Sequence, residues 1–213
     1  MSGLKTYWDR FLALRLNQMI DYSINNFYTF SYFARMDADD ISDKHRFEKQ
    51  INFLEKNTNI DIVGSDVIEI NESGEIINYK NMPTNHKELV NNIIKRCPFN
   101  HPTIMIRKNI FLNPSIRYDS ELKNTQDYKL WVELISKGFT LANINEPLLQ
   151  FRISNDFYKK RGISKVKNDI NSRLYAIKLL NIHSIKNYLY IFLIFVLRIS
   201  PKFMSKLAYK ILR

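Results

Sequence analysis

The sequence predicts an α/β domain followed by a helical extension, and three observations carry that reading. Short runs rich in β-branched and aromatic residues alternate with amphipathic helical stretches between Phe27 and Phe151. A hydrophobic run ends in the acidic turn Asp37-Ala38-Asp39-Asp40, at the kind of strand end where open α/β sheets gather ligands. Beyond Lys159 the alternation gives way to long, Lys-rich apolar helical stretches. A boundary within 154–164 therefore divides the chain into 1–155 and 156–213.

The elements follow in order. Phe11, Leu12, Leu14, Leu16 and Met19 predict a helix over Tyr7 to Tyr22. The aromatic stretch Phe27 to Met36 reads as a buried strand running into the acidic turn. Ser42 is placed to cap a helix through His45, Phe47, Ile51 and Leu54, which Asn57 to Asn59 breaks. Ile60 to Val63 and Val67 to Ile70 read as two strands, and Asn71-Glu72-Ser73-Gly74 turns the chain into a third over Glu75 to Tyr79. A helix over Lys87 to Lys95, a strand over Thr103 to Ile106 and a helical piece over Arg107 to Phe111 follow. Gln126 to Lys137 is a helix with Tyr128, Leu130, Trp131, Leu134 and Ile135 on its apolar side, closed by Gly138. Phe139 to Ile144 and Leu148 to Phe151 are the last strands.

Composition narrows the function classes. Hydrophobic residues at 45% and charged residues at 25% exclude wholesale disorder in a chain of 213 residues. The single cysteine, Cys97, excludes an intrachain disulfide and a cysteine metal cluster, and suits a reducing cytoplasm. Met1 to Asp9 lacks the apolar core of a secretory leader. The net charge of +11 is uneven: residues 159–213 hold 13 Lys and Arg against Asp169 alone, while residues 1–158 hold 19 against 20 Asp and Glu. That basic tail asks for an anionic partner.

Two motifs carry chemistry. Three carboxylates within four residues repel one another unless a cation or ordered donors lie between them. Hard oxygen ligands of this kind suit Mg²⁺ or Mn²⁺, which complete their shell with substrate phosphates. A solvated acidic turn that caps the next helix is the alternative reading. The second motif is Thr125-Gln126-Asp127-Tyr128-Lys129-Leu130-Trp131, in which Asp127 is either a helix-start carboxylate or a catalytic one.

Taken in order and spacing, ARMDADDIS at 34–42, RFEKQINFLEKNTNIDIVGS at 46–65, HPTIMIRK at 101–108, QDYKLWVELISKGF at 126–139 and NINEPLLQFRIS at 143–154 resemble glycosyltransferase family 2, in its bacterial surface-polysaccharide branch. The resemblance spans residues 12–213. It implies a partial GT-A fold, a Rossmann-like mixed sheet flanked by helices, and an inverting, metal-dependent transferase. Its donor would be a nucleotide-diphosphate sugar and its acceptor a saccharide or lipid-linked molecule. Carried over residue by residue, Asp39 is the principal Mn²⁺ or Mg²⁺ ligand, and Asp37 meets the ribose or the metal. Asp127 is the base that deprotonates the acceptor hydroxyl. Arg35 reaches the nucleotide or pairs with a neighbouring carboxylate. Asn17, Arg152 and Arg161 fall on the nucleotide-sugar side, with Arg152 and the cluster Lys159-Lys160-Arg161-Gly162 closing over the diphosphate or standing as a solvated basic loop. His101 and Trp131 fall on the acceptor side, or serve the core.

The match departs from the family in four places. The chain begins after the strands that bear the base-recognising acidic residue, Phe11 stands where a glycine is typical, Gln126 stands where Glu is frequent, and Ser154 stands where relatives often place a metal-binding histidine. The alternative function is accordingly an inactive remnant acting as a binding or scaffolding unit. A metal-dependent phosphoesterase is weaker, because such sites gather more ligands.

The tail adds a location. Tyr188, Leu189, Ile191, Phe192, Leu193, Phe195, Val196 and Leu197 are joined by Lys202, Lys206, Lys210 and Arg213. This stretch is too short to span a bilayer but suits its interface, at the inner face of the plasma membrane. Nucleic acid is the competing partner. The bulky aliphatics between the cations and the lack of a recognisable nucleic-acid module speak against it.

Overall fold

A computed structural model describes residues 2–122, 124–153 and 163–199. Its centre is a pair of long parallel strands, β3 (Ile62–Ile70) and β6 (Leu141–Arg152), joined along their length. The first half of β3 pairs antiparallel with β5 (Met105–Arg107), and its second half with β4 (Ile76–Lys80). Outermost lie β1 (Tyr32–Ala34) on β5 and β2 (Ile41–Ser42) on β6, giving the order β1-β5-β3-β6-β2. The mixed sheet with helices packed on it is the expected α/β class.

Two pairs of predicted strands are each one strand. Ile60–Val63 and Val67–Ile70 join as β3, and Phe139–Ile144 and Leu148–Phe151 join as β6, with register shifts opposite Ser65 and Asp66 absorbing Pro147. Gly64 makes their contact possible. A Cβ there would lie 2.3 Å from Asn143 Oδ1 and 2.7 Å from the Phe99 ring.

The aromatic run Phe27 to Met36 is not a buried strand. Only Tyr32–Ala34 enters the sheet, and β1 pairs with β5 alone among the described residues, which leaves Phe27 and Tyr28 exposed. The run sits at an edge, where half its surface meets no partner.

Helix α1 (Ser2–Asn26) is longer than predicted and buries Ala13 and Ile20. Helix α2 (Arg46–Lys56) forms where expected, but not all of its apolar residues face inward. Its buried positions are Arg46, Gln50 and Leu54, while Phe47 is 55% exposed and Ile51 lies at the margin. A polar i, i+4 pair faces inward because backbone carbonyls await it there. Asp43, rather than Ser42, steadies the helix start by accepting from His45 N at 2.8 Å. Helix α3 (His86–Asn91) is capped by the Asn85 side chain, α4 (Lys108–Leu112) is a single turn, and α5 (Gln126–Ser136) ends at Gly138 with φ of 85°, as the sequence indicates.

The main core gathers Ile62, Phe99, Ile104, Phe111, Trp131 and Leu141. A second core joins Tyr128 and Val132 of α5 to Ile93, Ile94, Ala176, Ile177 and Ile191. Ala176 and Ile177 come from α6 (Ile163–Leu179) and Ile191 from α7 (Ile185–Ile199), so both tail helices share a core with the sheet domain.

Candidate active site

The acidic turn is pinned from three sides. From below, the buried Arg46 guanidinium donates through Nη2 to the carbonyl of Arg35 at 2.8 Å, and through Nε to Gln50 Oε1 at 3.0 Å. Gln50 in turn donates to Thr103 O at 2.7 Å, tying the turn to the His-Pro segment. Burial, with the charge of Arg35, lowers the Arg46 guanidinium to about 10. From the side, Arg152 at the end of β6 donates its backbone N–H to Asp40 Oδ1 at 2.9 Å, Nε to Asp39 O at 2.9 Å, and Nη1 to the carbonyls of Asn71 and Glu72. Within the turn, Arg35 grips Asp37 with both nitrogens, at 2.9 and 2.5 Å.

Asp40 is 7% exposed, and its Oδ2 has no partner. Burial pushes its carboxyl up to about 6, with Asp37 and Asp39 adding to the rise. Asp39 itself is exposed. The donor set fits a divalent cation. Hard carboxylate oxygens of mutually repelling residues stand at a strand end, one of them buried and unpaired. Among the described residues no group of three or more His, Cys, Asp or Glu side chains converges on one point. An ion here would take one or two carboxylates and complete its shell with phosphate oxygens and water.

The second group of expected residues lies on α5 and the 3-10 turn His101–Thr103. Asp127 lies in the first turn of α5, where the helix dipole favours a carboxylate. Burial nonetheless pushes its carboxyl up, while the N–H of Tyr128, its own N–H and the Arg35 charge pull the other way. His101 Nε2 lies 3.0 Å from the Tyr118 hydroxyl. Burial, then the charge of Arg35, holds the His101 imidazole well below its ordinary value, so it is neutral. Burial also raises the Tyr118 hydroxyl, which Arg35 and Asp127 pull in opposite senses.

Arg35 is thus the common neighbour. It binds Asp37, and its charge is felt at Asp40, His101, Tyr118 and Asp127. The charge of Arg35 thus reaches both the acidic turn and the α5 carboxylate.

The expected residues divide accordingly. Arg35 binds Asp37 and its charge reaches His101 and Asp127, while Asp39 lies exposed on the same turn. Trp131 does not serve an acceptor: it is 0% exposed, set edge-on to Phe99 and His101, and supports His101 from within the core. Asn17 spends its amide on the Tyr118 main chain, donating to the carbonyl at 2.8 Å and accepting from the N–H at 2.9 Å, so it positions Tyr118 instead of offering that amide to a nucleotide. Arg152 holds the turn's backbone with the bonds given above, which leaves Nε and Nη1 spent on carbonyls. Arg161 and its basic cluster lie outside the described residues, as does Ser154. Arg46, Gln50 and Tyr118 escaped the sequence reading, which named Asp40 as one carboxylate of the acidic turn without assigning it a role of its own. The Arg-x-x-x-Gln spacing at 46 and 50 was the available signal, since it repeats at the interval of one helix face ending in Leu54.

The fold is a mixed α/β domain with an acidic turn at the end of one strand and a carboxylate in the first turn of α5. The profile described as "Glycosyl transferase family 2" matches residues 9–113. An uncharacterized glycosyltransferase of Haemophilus influenzae is 32% identical over 185 residues, which cover 85% of this chain and 67% of that protein. The amylovoran biosynthesis glycosyltransferase AmsE of Erwinia amylovora is 33% identical over 71% of this chain and 55% of its own length. The O-antigen biosynthesis glycosyltransferase WbnJ of Escherichia coli is 34% identical over 63% of this chain and 52% of its own. This chain belongs to glycosyl transferase family 2. It spans about half to two thirds of the length of these curated relatives.

Proposed function

We propose that the chain acts as an inverting glycosyltransferase. It moves a sugar from a nucleotide-diphosphate donor to a saccharide or lipid-linked acceptor in bacterial cell-surface polysaccharide synthesis. The observation that supports this reading is Arg35, which binds Asp37 and whose charge reaches Asp127, so that it links two motifs far apart in sequence. The names of the AmsE and WbnJ relatives support the biological setting.

In the reaction, the acceptor hydroxyl oxygen bonds to the anomeric carbon as the bond from that carbon to the diphosphate oxygen breaks with its electron pair. The hydroxyl proton passes to a carboxylate oxygen of Asp127. A carboxyl raised by burial is a better proton acceptor than an ordinary one, which suits this task. One base and one displacement invert the anomeric centre. Asp39, with Asp37 beside it, would hold Mn²⁺ or Mg²⁺, which when bound neutralises charge on the departing diphosphate. Arg35 orders Asp37, and neutral His101 with Tyr118 shapes the acceptor side.

The enzyme works at an anionic membrane surface. Supporting this, α7 turns Ile185, Tyr188, Leu189, Phe192 and Leu193 outward, at 46–82% exposure, beside a strongly basic tail. Among the described residues no helix is long and apolar enough to cross a membrane.

Calorimetry with uridine diphosphate and Mn²⁺, alongside a transfer assay, tests the reading. Asp39→Ala should lose Mn²⁺-dependent binding, while Asp127→Asn should bind and fail to transfer. Full turnover by Asp127→Asn overturns the base assignment. Binding without turnover in the unaltered chain points to the alternative, an inactive remnant that acts as a binding or scaffolding unit.

A further inference from the structure

Thr125, the residue at the N-cap of α5, sits at φ 66°, ψ 10°. This left-handed conformation is uncommon outside glycine, and for a β-branched side chain it is a genuine outlier that needs its surroundings to hold it. A threonine at an N-cap ordinarily accepts from the second or third N–H of the helix. Here its side chain makes no cap bond. Its Oγ1 instead shares a hydrogen bond of 2.7 Å with Ser172 Oγ on α6.

The contact is one of a set. One turn before Ser172, Asn168 Nδ2 donates to Asn124 Oδ1 at 3.1 Å. One residue after it, Arg173 donates through Nε to Ile94 O at 2.8 Å, pairs with Asp169, and lies 5.4 Å from the centre of the Tyr128 ring. Ser172 and Arg173 are both buried, at 7% and 8% exposure. Helix α6 therefore holds the two residues that lead into α5 and touches Tyr128, the neighbour of Asp127. Asp169, on the same helix, is close enough for its charge to reach the Asp127 carboxyl.

We infer that α6 is a positioning element of the catalytic site, in which Ser172 and Asn168 lock Thr125 and Asn124 so that α5 presents Asp127 to the acceptor hydroxyl. The inference rests on Asp127 being the base. It makes the helical extension part of the catalytic unit and separates its first helix from whatever α7 touches. Strain at Thr125 is the cost of that placement, because a relaxed Thr125 would redirect the first turn of α5.

Two readouts test it on the full chain. The first intrahelical bond of α5 runs from Lys129 N to Thr125 O at 3.0 Å. In Ser172→Ala, the Lys129 amide should exchange with solvent about tenfold faster, with β3 amides unchanged. The turnover number should fall about tenfold at unchanged donor KM, as misplacement of a base requires. Ser172→Thr keeps the hydroxyl and should restore both. Unchanged Lys129 exchange in Ser172→Ala overturns the inference, with or without measurable turnover. Faster exchange at full turnover overturns it too. Full turnover in Asp127→Asn removes the base reading itself, a result that no Ser172 variant can produce.

Discussion

Arg46 lies beneath Arg35, and its Nη2 donates to the Arg35 carbonyl oxygen at 2.8 Å while its side chain is 0% exposed. A cation that never meets solvent thus sets the height of the acidic turn. It does so with its fork, since Nε serves Gln50 as Nη2 serves Arg35.

Arg46→Ala should therefore cost about 3 kcal/mol in urea unfolding, because it strands the carbonyl of Arg35 and the Gln50 amide in a dry interior. Arg46→Lys should recover less than half of that. An ammonium is a point donor and cannot serve two directions at fixed angles.

Gly64→Ala should destabilise by about 1–3 kcal/mol, the range for overpacking a tight interior. The added methyl meets Asn143 Oδ1, and that side chain is not free to yield. Its Nδ2 donates to the carbonyls of Pro83 and Pro98, at 2.9 and 3.1 Å. A loss of melting temperature with the far-UV spectrum retained checks this.

His101 should make folding sensitive to acid. Its folded-state value is lowered by burial and by Arg35, so the unfolded chain binds the proton more readily. Stability therefore falls as pH drops below the ordinary value of 6.5, and continues to fall until the folded imidazole protonates. His101→Gln should flatten this limb of a plot of unfolding free energy against pH. A limb that persists unchanged assigns it to another group.

The rate of transfer should rise with pH as Asp127 loses its proton, with a midpoint above the ordinary carboxylate value of 3.8. Arg35 favours the charged form of Asp127. Arg35→Met should therefore move that midpoint to higher pH, and a shift to lower pH in the rate profile contradicts the arrangement.

The alternation of strands and helices, the acidic turn and the α5 motif were legible because each depends on local pattern and local chemistry. Gly138 at the end of α5 was legible for the same reason. What escaped depends on partners distant in the chain. Arg46 and Gln50 face inward only because the carbonyls of Arg35, Thr103 and Ile104 wait there, of which the apolar residues Phe47, Ile51 and Leu54 give no sign. Tyr118 gained its place from Asn17, 101 residues earlier. Trp131 looked equally suited to a sugar or to the core, and only the packing of Phe99 and His101 around it decides for the core. The aromatic content of 27–36 suggested burial, whereas strand position at an edge overrode it.

Strand β6 has a consequence for how the two acidic motifs are held relative to each other. Its start receives α5 by way of Gly138, and its end, at Arg152, is bonded to the main chain of Asp39 and the carboxyl of Asp40. One strand, joined to β3 on either side of the register shifts at Ser65 and Asp66, therefore ties the helix that opens on Asp127 to the turn that holds Asp39 and Asp40.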